Sequence, residues 1–492
     1  MKIYTIKTIA FFIAFAAVTA CSDSFIDVPS NDPNSAEFFN SEDDYEKALI
    51  GAYDLLQSTY MNVMLGEIAS DNTLAGGESA TDTPGIQQID DMIHTPSNEI
   101  LKDIWGWMFA GVNRANYILE FQNKTDFTGK ENILGQAKFL RAYYYFELVK
   151  WFGDVPLSVD KRIQFGDQFT IDRTPKADVY AQIELDLIYA AEKLPAVQDF
   201  AYKVTKGAAQ SLLGKVYLYQ NKFDAAATVL EAAIAGPYDL VTDYNTIFEH
   251  AGENGIESVF EVQYSDVQGA SYDCLQCSSG NVAVGFNGIR QYKGPLFDVG
   301  HSFNVPTQEV VDAFEAGDLR KDVAILDIEA WNTANGSTSG EGHEHTGYFN
   351  RKYIARKGDK NLGDSYLTNP NNYRAIRFAD VLLMAAEANN RKSSPDDAKA
   401  KTYLNRVRRR AFGVSDSSFD ITVNGSALTD AIYAERRVEL VGEGHRFFDL
   451  VRTGKAAQEI DGFVAGRHEV FPVPSIEIEL AGSRWDQNPN YN

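Results

Sequence analysis

Residues 204–238 read VTKGAAQSLLGKVYLYQNKFDAAATVLEAAIAGPY, and they decide the architecture of this 492-residue chain. Leu213, Gly214 and Tyr217 recur at helical spacing, and Ala226 follows nine residues after Tyr217. Leu230 and Ala233 continue the second run, and Pro237 ends it. Small residues let two antiparallel helices approach closely, while Tyr and Leu fill the space between successive pairs. One such hairpin cannot bury its own apolar face, so several must stack.

The spacing fits the 34-residue tetratricopeptide pattern, with Leu230 in the aromatic slot and the proline one residue early. Looser copies lie at 139–156, 177–194 and 377–412. Outward from the hairpin, amphipathic helices are predicted over Asp43–Ser58, 98–121, 132–151 and 176–194. Ser41 supplies the first cap, and Thr174-Pro175 opens the last helix. Helical character returns at 376–412 and 427–452. The expected fold is therefore mostly α, with tetratricopeptide-like hairpins over about 43–238 and 376–460. Between them, about 239–375, Gly, Ser, Asn and Thr rise. This insertion shows one short strand, Ser258–Gln263, and one helix, Thr307–Phe314, behind Pro306. The rest reads as loop, including 327–348 (DIEAWNTANGSTSGEGHEHTGY). Long irregular loops in a compact protein tend to carry function, so ligand specificity is expected here.

The N-terminus reads as an address. Lys2 and Lys7 precede an apolar run, Ile9–Val18, of signal-peptide length and too short to span a bilayer. Thr19 and Ala20 lead to Cys21 as in a bacterial lipobox, so residues 1–20 are the expected leader and Cys21 the lipidated first residue. Residues 21–42 form a polar tether. No later apolar run is long enough to cross a membrane. With 45 Lys+Arg against 69 Asp+Glu the net charge is −24, which repels phosphate backbones and argues against nucleic-acid binding. Cys274 and Cys277 form a lone CxxC in a Gly/Ser-rich loop. It lacks the paired ligands of a zinc site and the strand–helix setting of a redox site. A local disulfide is expected, with two free thiols as the alternative. His343 and His345 (GHEHTG) read as a solvated loop, and no cofactor or metal is expected.

Several segments, in order, resemble the SusD/RagB-like outer-membrane lipoproteins of Bacteroidetes-type bacteria. They are FIDVP in the tether, ALIGAY at 48–53, NRAN at 113–116, QAKFLRAYYYFELVKWFGDVPL at 136–157 and RTPKADVY at 173–180. Later come RFADVLLMAAEANN at 377–390, LNRVRRRAFG at 404–413, ERRVELVGEGHRFFDLVRTGK at 435–455, FPVPSIEIE at 471–479 and QNPNY at 487–491. Asn490-Tyr491 replaces the family's usual Gly-Tyr, and 264–375 matches least. The resemblance implies one SusD-like domain over 43–492, held on the cell exterior by a lipid anchor in the outer membrane. It also implies a non-enzymatic protein that captures a glycan and delivers it to a SusC-like TonB-dependent transporter barrel, using the helical-repeat side as the contact. A peptide-capturing member of the same family is the alternative, and a secreted glycoside hydrolase the more distant one.

A pyranose offers an apolar C–H face to an aromatic ring and hydroxyls to amides, carboxylates and arginine. The aromatic candidates are Trp331, Tyr292, Phe286, Trp105, Tyr272 and Tyr348. Trp107 stands two residues from Trp105 on one helix, so the two point different ways. Trp331 is preferred because its polar loop offers no core to join. The polar candidates are Asp71 and Asn72 (ASDNTLAGG, 69–77), and Asn287 and Arg290 beside Phe286. In ERRVELVGEGHRFFDLVR, arginines beside Glu435, Glu439 and Glu443 would depress the carboxyls, making poor general acids. That segment is read as an ion-pair network bracing the C-terminal helices. No GxSxG or HExxH motif is present.

Overall fold

The computed structural model describes residues 38–267, 279–357 and 367–491. The leader, most of the tether, Cys21, Tyr272, Cys274 and Cys277 lie outside them. Ser41 caps α1 (Glu42–Asp54) in a reciprocal box with Asp44, and a 3-10 turn over Leu55–Thr59 leads into α2 (Tyr60–Ile68). After β1 (Thr73–Gly76) come α3 (Pro84–Asp90) and α4 (Glu99–Glu120), the latter capped by the Asn98 side chain. Next are α5 (Lys130–Phe152), α6 (Lys176–Lys193), α7 (Lys206–Tyr219) and α8 (Phe223–Ile234). The predicted helices therefore form within two residues at most ends, except the first, which tightens to a 3-10 turn from Leu55.

The insertion holds β2 (Ser258–Val262), β3 (Phe303–Pro306), α9 (Gln308–Asp312), β4 (Ile325–Asp327), α10 (Ile328–Asn335) and β5 (Tyr348–Asn350). β6 (Tyr373–Arg377) then leads into α11 (Phe378–Arg391), α12 (Asp397–Ala411), α13 (Ser426–Glu439), α14 (Arg446–Arg452) and α15 (Ser475–Leu480). The stretch 327–348, expected to be loop, contains α10 and pairs β4 with β5, Asp327 opposite Tyr348. Asp327 caps α10 and Gly336, at φ 61°, ends it. The Gly-rich composition of the segment hid an eight-residue helix with a clear cap.

Helices α4 to α8 pack each on the next, α8 packs on α11, and α11 on α12, so the stacking anticipated from the hairpin is realised. Leu213, Ala226, Leu230 and Ala233 are all buried in its core. A Cβ on Gly214 would stand 2.4 Å from the Leu230 side chain, which explains the glycine. Overpacking such a contact costs about 1–3 kcal/mol. Gly214→Val is therefore expected to lower stability by that amount, read as a lower denaturant midpoint at unchanged slope; an unchanged midpoint would show that the hairpin tolerates separation.

The C-terminal segment closes the stack with buried charge. Arg320 bonds Asp318, Glu435 and Glu439; Arg377 bonds Glu257, Glu439 and Glu443; Arg410 bonds Glu257 and Glu439. Lys352 meets Glu443 at 2.6 Å. Burial alone would raise the Glu439 carboxyl, but Arg410, Arg377 and Arg320 outweigh it and hold it far below the usual carboxylate range. The bracing network read from the sequence is thus present, and it anchors the insertion to α12 and α13. Among the described residues no helix is long and apolar enough to cross a membrane.

Candidate functional site

The insertion and the loop after β1 meet on one face. β1 and β3 pair antiparallel, Thr73 opposite Pro306 and Gly76 opposite Phe303. Gly76 has φ 72°, and a Cβ there would lie 2.3 Å from the Ser302 carbonyl oxygen, so the strand can turn here only with glycine. Beyond the turn, Gly77 donates to the Ser302 carbonyl and accepts from the His343 N–H. The Gly76 N–H donates to Glu344 Oε2 at 3.2 Å, and the Ala75 N–H to Asp90 Oδ2 at 2.7 Å. Burial pushes the Asp90 carboxyl up to about 8, with Glu344 and Asp91 adding repulsion against the Ala75 bond.

Arg290 ties the third segment in. Its guanidinium donates to Ser302 Oγ and the His301 carbonyl, and faces Glu78 at 3.6 Å and Asp82 at 3.8 Å. The Arg290 carbonyl accepts from the Gly340 N–H, and Lys293 pairs with Thr338. The loops 69–83, 286–302 and 331–348, separate in sequence, therefore form one continuous polar face. Glu78 and Gln291 are exposed on it, and His343, His345 and Tyr348 are half-buried.

Beneath this face lies a small satellite core of Ile289, Tyr292, Phe297, Leu326, Ile328, Phe349 and Ile354. Trp331 packs on it from α10, 5.0 Å from Phe297 between ring centroids. Its indole N–H donates to Tyr292 Oη at 2.8 Å. The expectation that Trp331 sits in a loop with no core to join is therefore corrected. It is helical and half-buried, with its polar edge committed and part of the ring open.

Other expectations change for physical reasons. Tyr292 is 4% exposed and Phe286 6%, so neither offers a face for stacking. Asn287 is buried, donating to the Tyr353 carbonyl and accepting from Asn304, as scaffold. Asn72 is fully buried against Glu67 and Arg437. Asp71 is taken by Arg446, at 2.7 Å through both carboxylate oxygens, and by Arg437. These two residues lock β1 to α13 and α14. Trp105 is only 3% exposed, packed on Phe109, Phe152 and Trp485 away from the face. Trp107 is half-buried against Tyr60. Tyr348 is half-buried on β5 and shares a 3.0 Å hydrogen bond with Gln308.

Glu78, Asp82 and Gln291 were not singled out in the sequence. The paired glycines Gly76-Gly77 were the available signal, marking a sharp turn that presents the acidic loop. Among the described residues no cluster of three or more His, Cys, Asp or Glu side chains could hold a metal ion.

Comparison with known proteins agrees with this architecture. Residues 24–218 match a family described as starch-binding and associating with the outer membrane, and residues 284–491 match the SusD family. SusD-like protein P2 of Formosa agariphila is 27% identical, over 98% of this chain and 99% of its own. A laminarin binding SusD-like protein of known structure is 32% identical, covering 92% of this chain and 100% of that one, with a TM-score of 0.83. Surface glycan-binding protein A from Bacteroides thetaiotaomicron, solved in complex with laminarihexaose, is 28% identical over 91% of this chain and 99% of that one, with a TM-score of 0.80. With the stacked hairpins, the insertion and the buried C-terminal network all in place, this chain belongs to the SusD family.

Proposed function

We propose that this protein is an outer-membrane surface lipoprotein, anchored through Cys21, that captures a laminarin-type glucan and delivers it to a SusC-like TonB-dependent transporter. The observation that carries the reading is near-full-length similarity to a laminarin binding protein and to one solved with laminarihexaose. The convergent face supports it locally. Trp331 and Tyr348 supply half-open rings for the sugar's C–H faces, and Arg290, Glu78 and Gln291 meet its hydroxyls. Such a face is shallow, and a long glycan gains by repeating weak contacts along it. Capture without cleavage is the expected behaviour. The transporter is reached through the stacked helices, leaving the loop face for the ligand.

The test is calorimetric titration of residues 22–492 with laminarihexaose, maltohexaose and a peptide mixture, followed by analysis of the sugars for cleavage. Laminarihexaose is expected to bind intact. Trp331→Ala is expected to weaken it by about 1 kcal/mol, roughly fivefold. Cleavage, or binding of peptides alone, would overturn the reading.

A further inference from the structure

A second concavity lies away from the loop face. It is a groove of about 460 Å³ between α4, the loop 156–171 and the C-terminal segment from α15 to Trp485. That volume falls within the roughly 300–1,000 Å³ of small-molecule clefts. Trp105 and Trp485 form its floor, and both are held in place by their surroundings. Trp485 Nε1 donates to the Ile171 carbonyl at 2.8 Å, and Trp105 is packed among Phe109, Phe152 and Trp485. Both indoles are therefore fixed before any ligand arrives. Phe109 makes one wall. The other is Phe165, which is 93% exposed, an unusual condition for so large an apolar ring. Its loop is held to α4, because Asn113 both donates to and accepts from the Ile163 backbone.

The groove's polar groups decide what fits it. Glu477 is the one acidic group in its lining, and the lining contains no cation. Burial raises its carboxyl, with Lys102 and Trp105 opposing from outside and from the floor. A carboxyl in this setting seeks neutral O–H donors. Exposed Gln164 on the rim adds an amide that both donates and accepts. Flat aromatic walls, a lone hydroxyl acceptor and a rim amide suit a neutral, polyhydroxylated ring better than an anion or a cation.

We propose that this groove is a second, independent oligosaccharide-binding site, with a sugar ring held between Phe165 and Phe109 and its hydroxyls on Glu477 and Gln164. The proposal rests on the glycan-capture reading above, but none of its residues belongs to the loop face.

The test is native mass spectrometry and calorimetry of the full chain in mild detergent with laminarihexaose, alongside intrinsic tryptophan fluorescence. Wild type is expected to bind two molecules. Phe165→Ala/Glu477→Gln is expected to bind one, Trp331→Ala to bind two with one of them about fivefold weaker, and the combined variant to bind one molecule with that weakened affinity. Part of the fluorescence change should survive Trp331→Ala, reporting Trp105 and Trp485, and that remaining part should vanish when the groove double variant is added to it. Phe165 is a surface residue, so its loss does not threaten folding. One-to-one binding in wild type that only Trp331→Ala weakens would overturn the groove and leave the loop-face reading intact. One-to-one binding abolished only by the groove variant would overturn the loop face instead. Absence of binding at either site overturns both, and a fluorescence response to an apolar peptide but not to laminarihexaose would overturn the sugar as occupant.

Discussion

Glu439→Gln is expected to cost about 3–5 kcal/mol of folding stability, the scale for breaking a buried ion pair from one side. Glu439 is fully buried and is shared by Arg320, Arg377 and Arg410 at 2.6–2.9 Å. The amide keeps the size and one acceptor, but it removes the charge that three buried guanidiniums share. Glu435, Glu443 and Glu257 remain as partners, so the arginines stay paired in part. That places the expectation at the lower end of the range for Gln and the upper end for Ala. The effect reads out as a fall in denaturant midpoint at constant slope. A loss under about 1 kcal/mol would show that the neighbouring carboxylates carry the network without Glu439. The insertion hangs from this network through Arg320 and Lys352, so laminarihexaose affinity should fall along with stability.

The second large effect is an acid-sensitive contribution from His94. Its ring is fully buried, 2.8 Å from Tyr491 Oη through Nε2 and 5.2 Å from the His468 ring centroid. Burial lowers its basicity to about 3, with His468 and Arg467 contributing, while the Gln88 backbone opposes. In the unfolded chain an imidazole titrates near 6.5. A depressed pKa means that the unfolded state takes the proton first. The stability it contributes is complete above about 6.5 and is lost as pH falls toward 3. Between pH 7 and 4 that loss is about 3 kcal/mol, at 1.36 kcal/mol per unit. Glu67 and Asp90 act oppositely. Burial raises them to about 7 and 8, so their stability is present at low pH and lost as pH rises through those values. The wild-type curve therefore sums opposing contributions, His445 adding to the His94 side because burial lowers it to about 3 as well, and a variant separates them. His94→Gln is expected to lose stability at pH 7 but to lose about 3 kcal/mol less than wild type between pH 7 and 4. Parallel curves for the two proteins would remove His94 as an acid-sensitive group.

Much of the fold was legible because its helices announce themselves. The Gly214/Ala226/Leu230 spacing set the hairpin, and the cap at Ser41 and the Thr174-Pro175 start set helix beginnings, while the Asn98 cap came only with the structure. The arginine–glutamate alternation after Glu435 predicted the network. The site was less legible. Trp331 was chosen on the premise of a bare loop, when Asp327 and Gly336 bracket a helix over a satellite core. Asp71 and Asn72 look like turn residues in sequence, and only the fold brings Arg437 and Arg446 to them. Burial of Phe286 and Tyr292 depends on contacts from β4 and β5 and from Phe303, far along the chain. Periodicity reports local structure, and these contacts are not local.

The join between α2 and the turn before α14 also bears on the order of assembly. The Glu67 carboxylate accepts the Gly444 N–H across 377 residues of chain, and a Cβ on Gly66 would stand 2.5 Å from the Gly444 carbonyl oxygen. The hairpins from α4 to α8 need only near neighbours and can form while the chain is still being synthesised, whereas distant pairings must wait for loop closure. Gly66, Glu67 and Asp71 stay without their final partners until residues 443–446 have emerged. The proposed ligand face, whose β1 is held to α14 through Asp71 and Arg446, is then the last part to be locked in place, and a chain cut short of residue 444 would keep its hairpins and lose that lock.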